Sequence, residues 1–158
     1  HYEGYAPHGI ALLVETATDN PTRTVANVRS VFKGAGGNLG NAGRVAFLFQ
    51  RMGVFRIPAP GIDADELELE LIDHGLEELL EGESDDGDPQ FVIRCAFTEL
   101  GNIQRALEQK GITPASAGTE YICLNPIELP EDQEREVLEM IDKLEQDDDV
   151  QRVFHSIA

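Results

Sequence analysis

Between Gly9 and Ser156, apolar runs of strand length alternate with single amphipathic segments that carry their own start and stop signals. That order leaves few folds open, because a lone helix between strands has to bury its stripe on the sheet beside it. The first run, Gly9 to Thr18, is rich in strand formers and too short for a globular helix. It stops at Asp19-Asn20-Pro21, where Asn20 suits a helix N-cap and Pro21 the first helical position. Val25, Val28, Phe32 and Ala35 then recur at helical spacing, and Gly36-Gly37 supply the left-handed C-terminal cap. Arg44 to Gln50 reads as the next strand.

From Gly53 the pattern restarts. Val54 to Ile57 reads as a short strand broken by Pro58 and Pro60. Asp63 followed by Glu66 forms a capping box for an acidic helix whose buried side is Leu67, Leu71, Ile72, Leu76, Leu79 and Leu80. Glu81 to Pro89 is an acidic loop. Phe91 to Phe97 is a strand, and Thr98 caps a helix carrying Leu100, Ile103 and Leu107 that closes at Gly111. Tyr121 to Leu124 is a strand, Ile127 to Leu129 a short edge strand, and Pro130 opens a helix burying Val137, Leu138, Ile141 and Leu144. Val150 to Ser156 ends the chain as a strand.

The expected fold class is α+β: two ferredoxin-like-type sandwich domains with mainly antiparallel sheets, one inserted into the other. The first block lacks a second helix and a last strand, and the C-terminal segment offers both. The expected domains are therefore residues 1–52 with 125–158, interrupted by an acidic unit at 53–124.

Charge divides the chain the same way. Residues 1–56 hold six cations (Arg23, Arg29, Lys33, Arg44, Arg51, Arg56) against three acids (Glu3, Glu15, Asp19), a net of +3. The remainder holds six cations and twenty-seven acids, a net of −21 within the −18 of the whole. Such asymmetry is what a polyanion touching one region would require, with the acidic bulk facing away from the phosphates.

Several chemistries are disfavoured. The loop Gly34-Ala35-Gly36-Gly37-Asn38-Leu39-Gly40 would place Leu39 where a dinucleotide fingerprint needs its third glycine. It also follows a helix rather than opening one, so it meets the negative end of the dipole. His1, His8, His74 and His155 are scattered, and neither they nor the cysteines show the paired spacing of a metal site. There is no G-x-S-x-G, and Asp73-His74 lie on an acidic helix. No enzyme activity and no cofactor are expected. Cys95 and Cys123 sit in apolar runs and read as buried thiols of a reducing compartment, the cytoplasm. No apolar run reaches membrane-helix length and no signal-peptide pattern opens the chain. It begins at His1 rather than Met, as a fragment or a processed product does.

What remains is anion contact. Arg23, Arg29, Lys33, Arg44 and Arg51 come from one helix and the strand after it, so they can converge on one surface or stand as isolated surface charges. Tyr2 and Tyr5, in a Gly/Pro-containing opening segment, either form a loop able to stack on bases or fold onto the sheet.

Tyr2-Glu3-Gly4-Tyr5, the run Gly9 to Glu15, Thr18-Asp19-Asn20 with Arg23-Thr24, and Gly36 to Gly40 with Gly43 and Val45 resemble the YebC/PmpR family. Its mitochondrial members are translational activators of cytochrome oxidase. The ending Asp147 to His155 resembles the family's ending too, so the likeness spans the chain. The resemblance implies three domains, the third inserted into the second, in a cytoplasmic, DNA-binding transcriptional regulator without catalysis. It also implies a role in translation on the ribosome, with ribosomal RNA or proteins as partners. The lysine-rich N-terminal helical domain that the family implies does not occur in these residues. Two local departures are His8-Gly9, where the family has two glycines, and Gly34-Ala35 after Lys33, where it places a lysine and a polar residue. A separate possibility is a protein-interaction module whose acidic face takes a basic partner.

Overall fold

The computed structural model describes every residue from His1 to Ala158. The chain divides into two compact units, His1–Gln50 with Ile122–Ala158, and Arg51–Tyr121.

The first unit carries strands β1 (Tyr2–Tyr5), β2 (Ala11–Thr16) and β3 (Asn38–Leu39), helix α1 (Pro21–Gly34), and, from the C-terminal segment, α4 (Glu131–Glu145) and β8 (Val150–His155). Its sheet runs β3-β1-β2-β8, with every pair antiparallel. Leu12 and Val14 of β2 face Val28 and Phe32 of α1 and Val137, Met140, Ile141 and Leu144 of α4 in one core. The α1 start forms as its residues dictate: the Asn20 side chain accepts the Arg23 N–H at 3.1 Å, and Pro21 opens the helix. It ends where Gly36 adopts φ 79° and the Gly37 N–H donates to the Phe32 carbonyl at 2.8 Å.

The second unit threads β4 (Phe49–Pro58, entered from the first unit), α2 (Ala64–Ile72), β5 (Leu76–Glu83), β6 (Pro89–Ala96), α3 (Leu100–Gln109) and β7 (Ser116–Cys123). The order β5-β6-β4-β7 is that of a split β-α-β sandwich. Phe55, Ile57, Ile93, Leu67, Leu71, Ile103 and Leu107 form its core. The expected α+β class is the observed one.

Several local expectations are corrected. Arg44 to Gln50 is not a strand of the first sheet: Ala46–Leu48 is a single 3-10 turn, and β4 runs unbroken from Phe49 through Gly53 to Pro58. The strand the first sheet uses instead is Tyr2–Tyr5, so Tyr2 and Tyr5 lie in the sheet rather than in a loop. The acidic helix stops at Ile72, because Gly75 turns the chain at φ 101°, and Leu76, Leu79 and Leu80 belong to β5. Thr98 lies inside a 3-10 turn and caps nothing. Ile127 makes only an isolated bridge to Ile157. In α4 Met140 takes the buried place expected of Leu138, which is exposed. Both cysteines are free thiols, Cys95 buried and Cys123 only half-buried.

Candidate nucleic-acid interface

Pairing in the sheet fixes what each face of β1 presents. Tyr2 and Gly4 stand opposite Val14 and Leu12, on the helix side. Tyr2 is half-buried there against the core. Gly4 is required: a Cβ would lie 2.7 Å from the Phe32 ring and 2.5 Å from the Asn38 carbonyl. Glu3 and Tyr5 therefore point to the opposite face.

Glu3 is buried, and it is not idle. Its carboxylate accepts the N–H groups of Gly43 (2.8 Å), Val45 (3.0 Å) and Ala46 (2.7 Å), while its own carbonyl accepts the Gly40 N–H at 2.8 Å. Burial alone would raise the Glu3 pKa; the three backbone donors reverse that and hold it below the ordinary range. One residue, through its carboxylate and its carbonyl, thus ties down the segment 40–46. That non-local grip is the physical reason why Arg44 to Leu48 does not form a strand.

Arg44 leaves this loop outward. Its stem lies across Gly40, where a Cβ would collide with it, and its guanidinium sits 5.8 Å from the centroid of the Tyr5 ring. Tyr5, Asn41, Ala42, Gly43 and Arg44 line an open cleft of about 430 Å³. On the helix side of the same sheet edge, Arg29, Phe32, Lys33, Gly37, Asn38 and Leu39 line a second cleft, of about 330 Å³. Arg29 and Lys33 are thus brought against edge strand β3 from the helix layer, and Arg44 with Tyr5 stands on the other face of the neighbouring strand. All three cations are exposed, and none forms an ion pair.

The remaining two cations are placed differently. Arg23 is held by Asp149 at 3.0 Å and more loosely by Asp19 at 3.5 Å. Its charge is neutralised within the protein. Arg51 belongs to the second unit, where its guanidinium lies 5.1 Å from the Phe97 ring centroid. Two features of the loop have no signature in the sequence. The buried Glu3 looks like any acid there, and Phe47 falls in a run whose alternation would bury it with Val45 and Phe49. The 3-10 turn instead leaves Phe47 68% exposed while Val45 and Phe49 are buried.

The fold and this edge define a two-unit α+β protein that presents unneutralised cations around one sheet edge of its first unit. Over residues 1–157 the chain matches the family model described as the TACO1/YebC second and third domain, and it belongs to that family. It is 66% identical over 157 residues to a "probable transcriptional regulatory protein" of Myxococcus xanthus, an alignment covering 99% of this chain and 65% of the relative. A protein of the same description from Flavobacterium psychrophilum is 49% identical over 156 residues, 99% of this chain and 64% of the relative. The crystal structure of a conserved hypothetical protein from Aquifex aeolicus superposes with a TM-score of 0.86 at 34% identity. It covers 99% of this chain and 63% of that one. The chain thus spans 65% of the length of its Myxococcus relative. No helix is long and apolar enough to cross a membrane.

Proposed function

We propose that this chain is the nucleic-acid-contacting part of a cytoplasmic, non-enzymatic regulator of gene expression, acting on DNA. Its two units are read as the second and third domains of the family, and the relatives' names supply the regulatory role. The observation that carries the reading is local. In a chain of net charge −18, Arg29, Lys33 and Arg44 surround edge strand β3 without a carboxylate partner. Cations left unneutralised in so acidic a protein are suited to phosphates, whose counterions they release on binding. Tyr5 supports Arg44 from beneath.

The test is the salt dependence of duplex binding. Replacing Arg29 and Lys33 together with Gln should lower the slope of log affinity against log salt by about 2. An unchanged slope would remove this edge from the interface.

The same edge suits ribosomal RNA, which makes a ribosome-associated translation factor the second reading. Sedimentation of the intact protein in extract, with and without nuclease, separates the two targets. A third reading rests on another observation. On α2, Leu69 and Ile72 are 72% and 54% exposed, three residues apart, among Asp65, Glu66, Glu68, Glu70 and Asp73. An apolar pair ringed by acids suits a basic protein segment, such as one on a ribosomal protein. Capture that survives nuclease and fails at high salt would favour it.

A further inference from the structure

The second unit, residues 51–121, holds sixteen acids against five cations, a net of −11. Seven of those acids fall between Glu77 and Asp88, with no cation among them. That run is strand β5 and the turn leading to β6, and β5 is an edge strand of its sheet. Bonding at the turn fixes which backbone groups β5 leaves free. The Ser84 N–H donates to the Asp88 carbonyl at 2.8 Å, while the Pro89 carbonyl turns away to accept the Ala59 N–H at 3.1 Å. Antiparallel pairs alternate between bonded and unbonded. Gly82 with Gln90 and Leu80 with Val92 are therefore bonded pairs, and Leu79 and Glu81, opposite Ile93 and Phe91, direct their N–H and carbonyl groups outward. Unpaired groups along an edge are a template for one more strand.

The two faces of β5 select different side chains from that strand. Leu79 packs on the core, and alternation puts Glu81 and Glu83 on the same face beyond it. Both are exposed and neither is in an ion pair, whereas Glu70, Glu78 and Glu120 are matched to Lys110, Arg94 and Arg56. With Ala59, Pro89 and Phe91 they line a cleft of about 480 Å³. Apolar walls beside two free carboxylates suit a Lys or Arg side chain, its stem on carbon and its head on the acids. Leu80 stands on the opposite face, half-buried beside Val92, and suits an apolar neighbour. We infer that β5 accepts an extended segment of a partner protein in which basic and apolar residues alternate, a basic side chain entering the cleft at Glu81 and Glu83. A second copy of β5 would instead set carboxylates against carboxylates, and phosphates would be repelled. The inference goes beyond the proposed function and does not rest on Arg29, Lys33 or Arg44.

The experiment titrates the full chain with a synthetic peptide of about eight residues, a common strand length, alternating Lys and Val. A control peptide of the same sequence is N-methylated along its backbone, which keeps the charge and removes the hydrogen-bond donors. Amide exchange at Leu79 and Glu81 should slow with the first peptide and stay unchanged with the second. Glu81→Gln removes a carboxylate, and Glu81→Pro also removes an outward N–H at an edge position where proline is tolerated. The proline variant should bind about three- to tenfold more weakly than the glutamine variant, the difference one hydrogen bond makes. Circular dichroism checks the fold of each variant, and the exchange measurement on the wild type decides the matter even if Glu81→Pro fails to fold. Equal binding of both peptides, or binding that leaves Leu79 and Glu81 unprotected, would overturn strand addition in favour of general attraction to the acidic surface. Full affinity in a Glu81→Gln, Glu83→Gln double variant would overturn the cleft as the seat of the basic side chain. Protection that grows with protein concentration in the absence of peptide would make a second copy the occupant, and no binding at all would end the inference. None of these outcomes bears on the nucleic-acid reading, which the salt slope tests separately.

Discussion

The Arg23 guanidinium and the Asp149 carboxylate, 126 residues apart, meet at 3.0 Å. Thr24 donates its hydroxyl to the same carboxylate at 2.8 Å, and its oxygen lies 2.7 Å from that of Thr18. The first turn of α1 is thereby fastened to the turn that precedes β8, where the Asp149 carbonyl also accepts the Ala17 N–H at 2.9 Å. The cluster joins the two sequence segments of the first unit, and it is why Arg23 is a structural cation rather than a free one.

Asp149→Asn is accordingly expected to lower Tm, and to do so more than Asp19→Asn, whose carboxylate is 94% exposed and reaches Arg23 only at 3.5 Å. The Thr24 hydrogen bond and, against the opposing effect of burial, the Arg23 bond and charge hold the Asp149 pKa below the usual aspartate range. A depressed carboxylate stabilises the fold above its unfolded pKa of about 3.9 and loses that contribution as pH falls through the lower native value. Thermal melts of wild type and Asp149→Asn should therefore differ at neutral pH and converge in acid.

Glu3→Gln tests the loop. The amide keeps one acceptor oxygen where the carboxylate offered two, and at least one of the Gly43, Val45 and Ala46 N–H groups is left unpaired. A lost hydrogen bond to a charged acceptor at a buried donor costs about 2 kcal/mol. Amide exchange should quicken at Gly43, Val45 and Ala46, with protection retained in β2 and α1. Uniform loss of protection would mean that Glu3 supports the whole unit instead of this segment.

What the sequence made legible follows from range. Asn20-Pro21 and Gly36-Gly37 mark the ends of α1 because each cap is completed within a few residues, by the Arg23 N–H and the Phe32 carbonyl. The stripe Val28 and Phe32 was equally local. The segment 40–50 was not, since Glu3 takes its backbone donors from 40 residues away and nothing in the run itself records this. Leu76, Leu79 and Leu80 follow helical spacing, and the left-handed Gly75 ends the helix before them and turns the chain into β5. Of the expected cations, the grouping of Arg29 with Lys33 was readable from their four-residue spacing. The removal of Arg23 required Asp149 to arrive from the far end of the chain.

Gly4→Ala is expected to destabilise by about 1–3 kcal/mol, as overpacking does, since the new methyl would press on both the Phe32 ring and the Asn38 carbonyl. Gly34→Ala is the matched control. It lies in α1 with open space around the added carbon, and should be neutral or stabilising by up to about 1 kcal/mol. Denaturant melts of the two variants measure the contrast directly.

His155 offers a second pH window. Burial pushes its pKa down against the opposing pull of Glu134, and its Nδ1 accepts the Ile157 N–H at 3.1 Å, a bond that the neutral ring alone can make. A base with a depressed native pKa gives stability that is fully present above its unfolded pKa of about 6.5 and declines as pH falls through the native value. One proton sets the limiting slope at about 1.4 kcal/mol per pH unit. His155→Phe should flatten the stability profile between neutrality and mild acid, as read from chemical melts at a series of pH values.

Arg23 and the Arg29–Lys33 pair sit on one helix, yet they should fail in opposite ways. Arg23→Gln breaks the bond to Asp149 and is expected to lower Tm while leaving the salt slope of nucleic-acid binding where it was, because that charge is already neutralised. Arg29→Gln with Lys33→Gln breaks no ion pair and should leave Tm nearly unchanged, while the slope falls by about 2. The separation is demanding, since all three substitutions reduce the charge of α1 by the same kind of step. If Arg23→Gln flattened the slope as much per charge as the pair, the polyanion would be sensing the net charge of the helix, and the partnering of each cation would not decide which ones bind. If the pair changed Tm and left the slope alone, their work would lie within the fold.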